Sequence, residues 1–475
     1  MKYFLPLLII LLLLLSCSDS TSSSKSFTLS GQVTLLDNEG NIVSAGLNEV
    51  LVMIYNTVEI DPDLLKVKSD YPFIGAEITQ EVFFDIRDAE PIKSVICNSS
   101  GEYTFNIKKG DYNIAYYKEN YGYCITHELE ASKDLSMEDI VLNEVITLAG
   151  SINDFTFENG RVYHITDDLI IPANSNVTFE TGANVDVANN KKIFLMDDFH
   201  LIEIGNEEYV KFNSIYTQLG NKNIFRGIEC VNYPSYNVFK VLIKNATTAI
   251  SFNSVSAKIS VKNSSIINST TGIAATHADS LYLSNCNIIK NSSIGVDLIV
   301  NNTCINNVIF NNYEGIRIME ANSDISNNYI LNNHIGIRLA FYNPMTIHYN
   351  NFNKNEFGIS MSGADPLIEF NDFLDDKTNI EICRRYVQDY YEFSEPLIKD
   401  NNILSTNWQV SIIGVNDIFF SILNWGINKN YKCAMNYWGK EKKIKDNIIL
   451  NYENGYYFII ENEYNNPVIN SGIRR

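Results

Sequence analysis

Asp297, Arg317, Arg338 and Glu381 are the charged side chains whose spacing invites a chemical reading. Each follows, by one position, the aliphatic member of a recurring pair: Gly295-Val296, Gly315-Ile316, Gly336-Ile337 and Asn379-Ile380. Successive side chains of an extended strand point to opposite faces. If the aliphatic residue points inward, its successor points outward. The outward column then reads Glu229, Ser251, Ala274, Asp297, Arg317, Arg338, Ser360, Glu381 and Ser411. At a strand spacing of about 4.8 Å, Asp297, Arg317 and Arg338 are neighbours, with Glu381 two coils beyond Arg338. Two adjacent guanidinium groups repel, and either an anionic partner or flanking carboxylates must relieve them. Asp297 and Glu320 are the flanking acids read here, and such surface pairs contribute little energy.

A second cluster lies beside this column. Pro366-Leu367-Ile368 leading to Asn371 returns 30 residues later as Pro396-Leu397-Ile398 leading to Asn401, longer than the period elsewhere. The insert, 384–394, reads RRYVQDYYEFS and begins three residues after Glu381. Insertions in repetitive folds are loops on one face, often the binding face. Tyrosines can stack on sugar rings, and arginines make bidentate contacts to carboxylate or sulfate. The expected ligand-binding residues are therefore Asp297, Arg317, Arg338, Glu381, Arg384, Arg385, Tyr386, Tyr390 and Tyr391.

Catalytic signatures are sparse. Of N-x-D, D-D, G-H-G and R-x-K, the runs of sugar-cleaving hydrolases, Asp167-Asp168 and Asp375-Asp376 supply D-D pairs, but G-H-G and R-x-K do not occur. Asp297 and Glu381 would stand about four strand spacings apart, too far for a two-carboxylate glycosidase pair. The 6 histidines, among them His277, His334 and His348, form no triad. No catalytic residue is assigned, and no cofactor or metal is expected. Clustered carboxylates such as Asp61, Asp63, Asp85 and Asp88 are the one candidate calcium site, but their order is not that of a calcium loop. No cysteine pair has zinc-ligand spacing.

The elements that must position these residues follow from the repeat. Small–aliphatic pairs at Gly227, Ala249, Gly272, Gly295, Gly315, Gly336, Gly358 and Asn379 are 20 to 23 residues apart. Asn287, Asn307, Asn328, Asn350 and Asn371 lie eight residues before the marks. Asn245, Asn268, Asn291, Asn311, Asn332, Lys354 and Asp375 lie four before them. Short apolar strands between asparagine turns at a fixed period predict a solenoid. Asparagine tolerates left-handed backbone and can stack as an amide ladder.

The consensus N-x-x-x-N-x-x-x-G-I-x-[ILM] resembles the right-handed parallel β-helix, or pectin-lyase-like, repeat. The opening run Tyr163–Pro172 with Val177–Ala183, and Asn436-Tyr437-Trp438-Gly439 near the end, fit that resemblance. It covers about 146–460 and implies some 12 coils. The family includes lyases, hydrolases, adhesins and stalks, so the resemblance implies fold more than function.

Residues 27–145 read as short strands and turns. Ser30-Gly31-Gln32-Val33, Ser100-Gly101-Glu102-Tyr103-Thr104-Phe105 and Gly110-Asp111-Tyr112 resemble the carboxypeptidase-regulatory-like, transthyretin-like β-sandwich. An insert at roughly 59–92 departs from that compact pattern. This segment holds 21 acidic and 8 basic residues, a net of -13.

Met1–Leu15 is one lysine followed by an unbroken apolar run, a signal-peptide pattern. Leu14-Leu15-Ser16-Cys17 resembles the lipobox of bacterial lipoproteins, which implies acylation of Cys17 and, with Ser18 next, the outer membrane or cell surface. The divisions expected are 1–16 signal, 17–26 lipidated cysteine and tether, 27–145 sandwich, and 146–475 β-helix with a C-terminal cap. With Cys17 lipidated, Cys97 with Cys124 is the favoured disulfide. The net charge of -20 lacks the basic footprint of a nucleic-acid binder. The expectation is an all-β, β-sandwich plus β-helix surface protein. It would be held to the membrane by its lipid anchor, binding polysaccharide or a surface protein, or serving as a display rod. The alternative is a polysaccharide lyase or glycoside hydrolase.

Overall fold

The computed structural model describes residues 26–203, 208–216, 224–319, 321–341, 345–383, 394 and 396–403. It also describes the strands Arg385–Val387, Tyr390–Glu392, Trp408–Ile413, Asn430–Ala434, Ile448–Leu450 and Tyr457–Glu461. Cys17, Glu320, Arg384 and the Asn436–Gly439 motif lie outside the described residues. The chain divides into two compact units: 1–57 with 90–142, and 58–89 with 143–475.

The first unit is a pair of four-stranded sheets around one core. Ser26–Leu36 pairs antiparallel with Glu102–Lys108 and parallel with Leu135–Ser136. Lys93–Ile96, Leu51–Asn56, Gly110–Lys118 and Gly122–Ala131 form the second sheet in that order, all antiparallel. Strict alternation in Glu102–Lys108 sends Tyr103, Phe105 and Ile107 inward. They pack against Leu29, Val52, Ile54 and Tyr116, and the hydroxyls of Tyr103 and Tyr116 satisfy each other at 2.9 Å. The expected Cys97–Cys124 disulfide is not formed. Cys97 follows strand Lys93–Ile96 and Cys124 lies on Gly122–Ala131, with two strands between them. Three strand spacings are about 14 Å, roughly twice the longest Cα separation a disulfide spans.

The second unit is the predicted right-handed parallel β-helix. Each coil contributes three short strands, such as Asn301–Ile305, Val308–Phe310 and Glu314–Met319, and each pairs in parallel with its counterpart one coil on. One of the three sheets has ten strands. The interior is a continuous aliphatic column, with Ile316, Ile337, Ile359 and Ile380 fully buried. The glycine of each mark has a steric cause: a Cβ on Gly315 would lie 2.5 Å from the carbonyl oxygen of Gly336 in the next coil.

Two amide ladders run along the solenoid at its corners. In the first, Asn307, Asn328, Asn350 and Asn371 each donate both backbone N–H and Nδ2 to Oδ1 of the next member, ending at Asn401. In the second, Asn291, Asn312, Asn333 and Asn355 do the same, ending at Asp376. The sequence reading assigned left-handed backbone and ladder stacking to the same asparagines. The structure separates them by one residue: Asn311, Asn332 and Lys354 have φ of 55, 55 and 56, and the ladder member follows. A left-handed residue turns the chain, and only the next side chain then points into the corner.

Residues 58–89, counted with the sandwich in the sequence reading, form a strap over the outer surface of the solenoid. Asp61 caps the helix α1 (Pro62–Asp70) by accepting from Asp63 N, with Pro62 opening its first turn. Such a cap stabilises by about 1 kcal/mol. Leu64 and Val67 of α1, with Ile74 and Val82, pack on Leu242, Ile267, Ile289, Phe310 and Leu331, which project outward from consecutive coils. Gly75 N donates to Asn306 O at 2.8 Å; a Cβ there would meet Asn287 Oδ1 at 2.4 Å, so only glycine fits.

Beyond α1 the strap is anchored by buried charge. Arg87 donates to Ser214 O, Asp85 and Asp186 at 2.7, 3.1 and 3.0 Å. Asp85 also accepts from Asn213 and Asn245, and Lys244 Nζ donates to the carbonyls of Glu81 and Phe84. These acids therefore have structural work. Asp63 is paired with Lys354 at 2.7 Å, and among the described residues Asp61, Asp63, Asp85 and Asp88 do not gather as a metal site.

Candidate functional site

The outward column forms in the expected register. Asp297 pairs with Arg317, Arg317 with Arg338, Arg338 with Ser360, Ser360 with Glu381 and Glu381 with Ser411. Parity alone places these side chains outside, because Ile316 and Ile318 on either side of Arg317 are completely buried.

The arginines are flanked by carboxylates. Asp297 accepts two parallel hydrogen bonds from Arg317, from Nε at 2.9 Å and Nη2 at 2.6 Å. This fork geometry is the strong form of the pair, and it raises the Arg317 pKa against the opposing effect of burial. Arg338 Nε lies 2.7 Å from Glu314 Oε1, though not in line for a hydrogen bond. Glu314 Oε2 is 4.0 Å from Arg317. The sequence reading named Glu320 as the second flanking acid and missed Glu314. The available signal was register: Glu314 stands opposite Ile294 and Ile335 in neighbouring coils, a charged residue in an apolar row.

Among the described residues of the strip, Arg338 is the charged group left open to a ligand. Arg338 has a side chain 43% exposed, and its terminal nitrogens have no protein acceptor among the described residues. Glu381 is buried and accepts from Ser360 Oγ at 2.7 Å, which separates it from Arg338 by one hydroxyl. The strip is thus acid, base, base, hydroxyl, acid. It can offer a bidentate guanidinium edge to an oxyanion, with hydroxyl and carboxylate acceptors beside it.

The insert after Glu381 is a hairpin. Arg385–Val387 pairs antiparallel with Tyr390–Glu392, Tyr386 opposite Tyr391 and Val387 opposite Tyr390. It leaves the coil between Thr378–Cys383 and Leu397–Lys399, and the first ladder carries on across it from Asn371 to Asn401. The insertion therefore leaves the register of the coils intact.

Residues 201–383 match the family model of NosD, described as a periplasmic copper-binding protein. No curated protein and no solved structure matches the chain. The NosD-like segment coincides with the regular coils of the second unit and includes the charged strip.

The copper-binding description can be tested on this segment's own donors. Copper favours thiolate, thioether and imidazole ligands. Cys230, Cys286 and Cys304 are wholly buried inside the solenoid, and burial raises the Cys286 thiol to about 12. The thiolate is the ligand form, so these cysteines are poor donors. His277, His334 and His348 contact Thr276, Glu356 and Asp324 respectively, on separate coils. Among the described residues no three His, Cys, Asp or Glu groups converge as a metal site. The donors described in the NosD-like segment do not fit copper.

Proposed function

We propose that this chain is an exported, lipid-anchored β-helix protein of the bacterial surface or periplasm that binds acidic polysaccharide along the strip Asp297–Arg317–Arg338–Ser360–Glu381. The hairpin carrying Arg385, Tyr386, Tyr390 and Tyr391, with Arg384 before it, forms the adjoining part of the site. The observation that supports this most directly is Arg338, half-exposed, its terminal nitrogens without acceptors among the described residues, in a strip repeating at strand spacing. A polymer of anionic units presents its charges at regular intervals and suits such a strip. The periplasmic description of NosD supports the export reading, as does the apolar leader ending at Cys17.

The test is to incubate the protein with chondroitin sulfate, alginate and dextran and follow binding and product formation together. Wild type is expected to bind the two acidic polymers. Arg317→Ala with Arg338→Ala should weaken that binding about tenfold or more, consistent with loss of charge-assisted contacts of roughly 1.5–3 kcal/mol. Unchanged binding in the double variant would refute the strip. Unsaturated or reducing products that disappear in the double variant would make the protein a polysaccharide lyase or hydrolase instead.

A further inference from the structure

A second feature lies on the corner of the solenoid that carries the second amide ladder. The outward residues two positions after its left-handed turn form a column one coil apart: Ser292, Tyr313, His334 and Glu356. The rings of Tyr313 and His334 are stacked, with centroids 4.6 Å apart and planes at 18°. His334 Nδ1 is 2.7 Å from Glu356 Oε2, and Glu356 Oε1 accepts from Lys377 at 2.9 Å. The tyrosine is thus held from one side by a chain of fixed contacts.

Its other face is treated differently. The coil on that side offers Ser292, whose hydroxymethyl cannot cover a ring. Tyr313 is 52% exposed, and among the described residues no second ring packs on it. An open polar trough of about 630 Å³ runs along this corner on both sides of Tyr313, lined by ladder amides. Lys290, one coil before Tyr313, and Lys354, two coils after it, also line the trough. Asp63 of the strap pins Lys354. Lys290 lies 5.9 Å from the centroid of Phe83, also of the strap, and has no carboxylate within 4.0 Å among the described residues.

We infer that Tyr313 is a stacking platform for one pyranose unit of an acidic polysaccharide, with Lys290 receiving that unit's carboxylate or sulfate. An open aromatic face takes the C–H face of a sugar ring, and the surrounding amides and hydroxyl match its hydroxyl groups. A flat apolar ligand would need apolar walls, and these are polar. The site rests on the reading that the protein binds polysaccharide. It does not depend on the arginine strip, none of whose residues lines the trough.

The test uses the full chain in native gels containing alginate or its neutral propylene glycol ester. Tyr313→Ala should weaken retardation by both about tenfold, Tyr313→Phe should preserve it, and Lys290→Ala should weaken the alginate interaction alone. Ser292→Phe, which extends the stack over the open face, should block binding while leaving the melting temperature at or above wild type. If Tyr313→Ala and Ser292→Phe bind as wild type while Arg317→Ala with Arg338→Ala does not, the platform is overturned and the strip stands. If only the Tyr313 and Ser292 variants lose binding, the platform stands and the strip falls. No retardation of wild type by either polymer overturns both.

Discussion

Asp376 stands where the second ladder ends, and it differs from the asparagines before it by one hydrogen donor. Asn312, Asn333 and Asn355 each send an amide hydrogen to the carbonyl of Ile288, Ile309 and Ile330 in turn. A carboxylate has no hydrogen to send unless it is protonated. Burial accordingly raises the Asp376 pKa to about 7, against the hydrogen bonds from Asn355. The sign follows from proton binding. Between about 4 and 7 the folded chain holds this proton and the unfolded chain does not, so stability falls as pH rises across that window. The loss is at most roughly 4 kcal/mol by pH 7. Asp376→Asn is expected to raise the melting temperature at pH 7, with little effect near pH 4. Thermal melts across the window check this, and an unchanged pH profile would count against the ladder account.

At the scale of elements, the strap depends on a cluster that is costly to break. Burial would raise the Asp85 carboxyl, yet Arg87, Lys244 and Asn213 together hold it down to about 2. That contribution is present above about pH 4 and is lost as pH falls toward 2. Arg87→Ala leaves Asp85 and Asp186 buried without their guanidinium, a change of about 3–5 kcal/mol for a buried pair. Chemical denaturation should show that loss. Limited proteolysis should also cut the variant first within 58–89, because Arg87 ties the strap to Ser214 and Asp186 of the solenoid. Loss of stability without new cleavage in the strap would mean that Arg87 acts elsewhere.

The same strap governs how the whole chain can be divided. The fragment 146–475, the β-helix as its repeat defines it, lacks the segment covering Leu242, Ile267, Ile289, Phe310 and Leu331. An uncovered apolar row of this kind drives association. The fragment should therefore elute as aggregate in size-exclusion chromatography while the chain from residue 27 onward stays in solution; a monodisperse fragment would refute the covering role. The proposed membrane attachment belongs to this scale too. Cys17→Ser should abolish incorporation of labelled palmitate and release the protein from the membrane fraction, since stable attachment needs more than one acyl chain. Incorporation that persists in Cys17→Ser would place the lipid elsewhere.

The period and parity of the repeat determined the coils, the inward aliphatic column and the outward row from Glu229 to Ser411. In a solenoid, residues one period apart become neighbours, so a linear pattern maps directly onto the surface. The same arithmetic located the insert after Glu381 without losing register. Only the tertiary structure decided what lies between columns and between distant segments. Glu314 reaches Arg338 because side chains bend across rows, and period alone does not specify side-chain direction. The docking of 58–89 joins residues such as Arg87 and Asp186, 99 positions apart. No local pattern encodes that pairing, because the burial that makes it favourable exists only once both surfaces have formed.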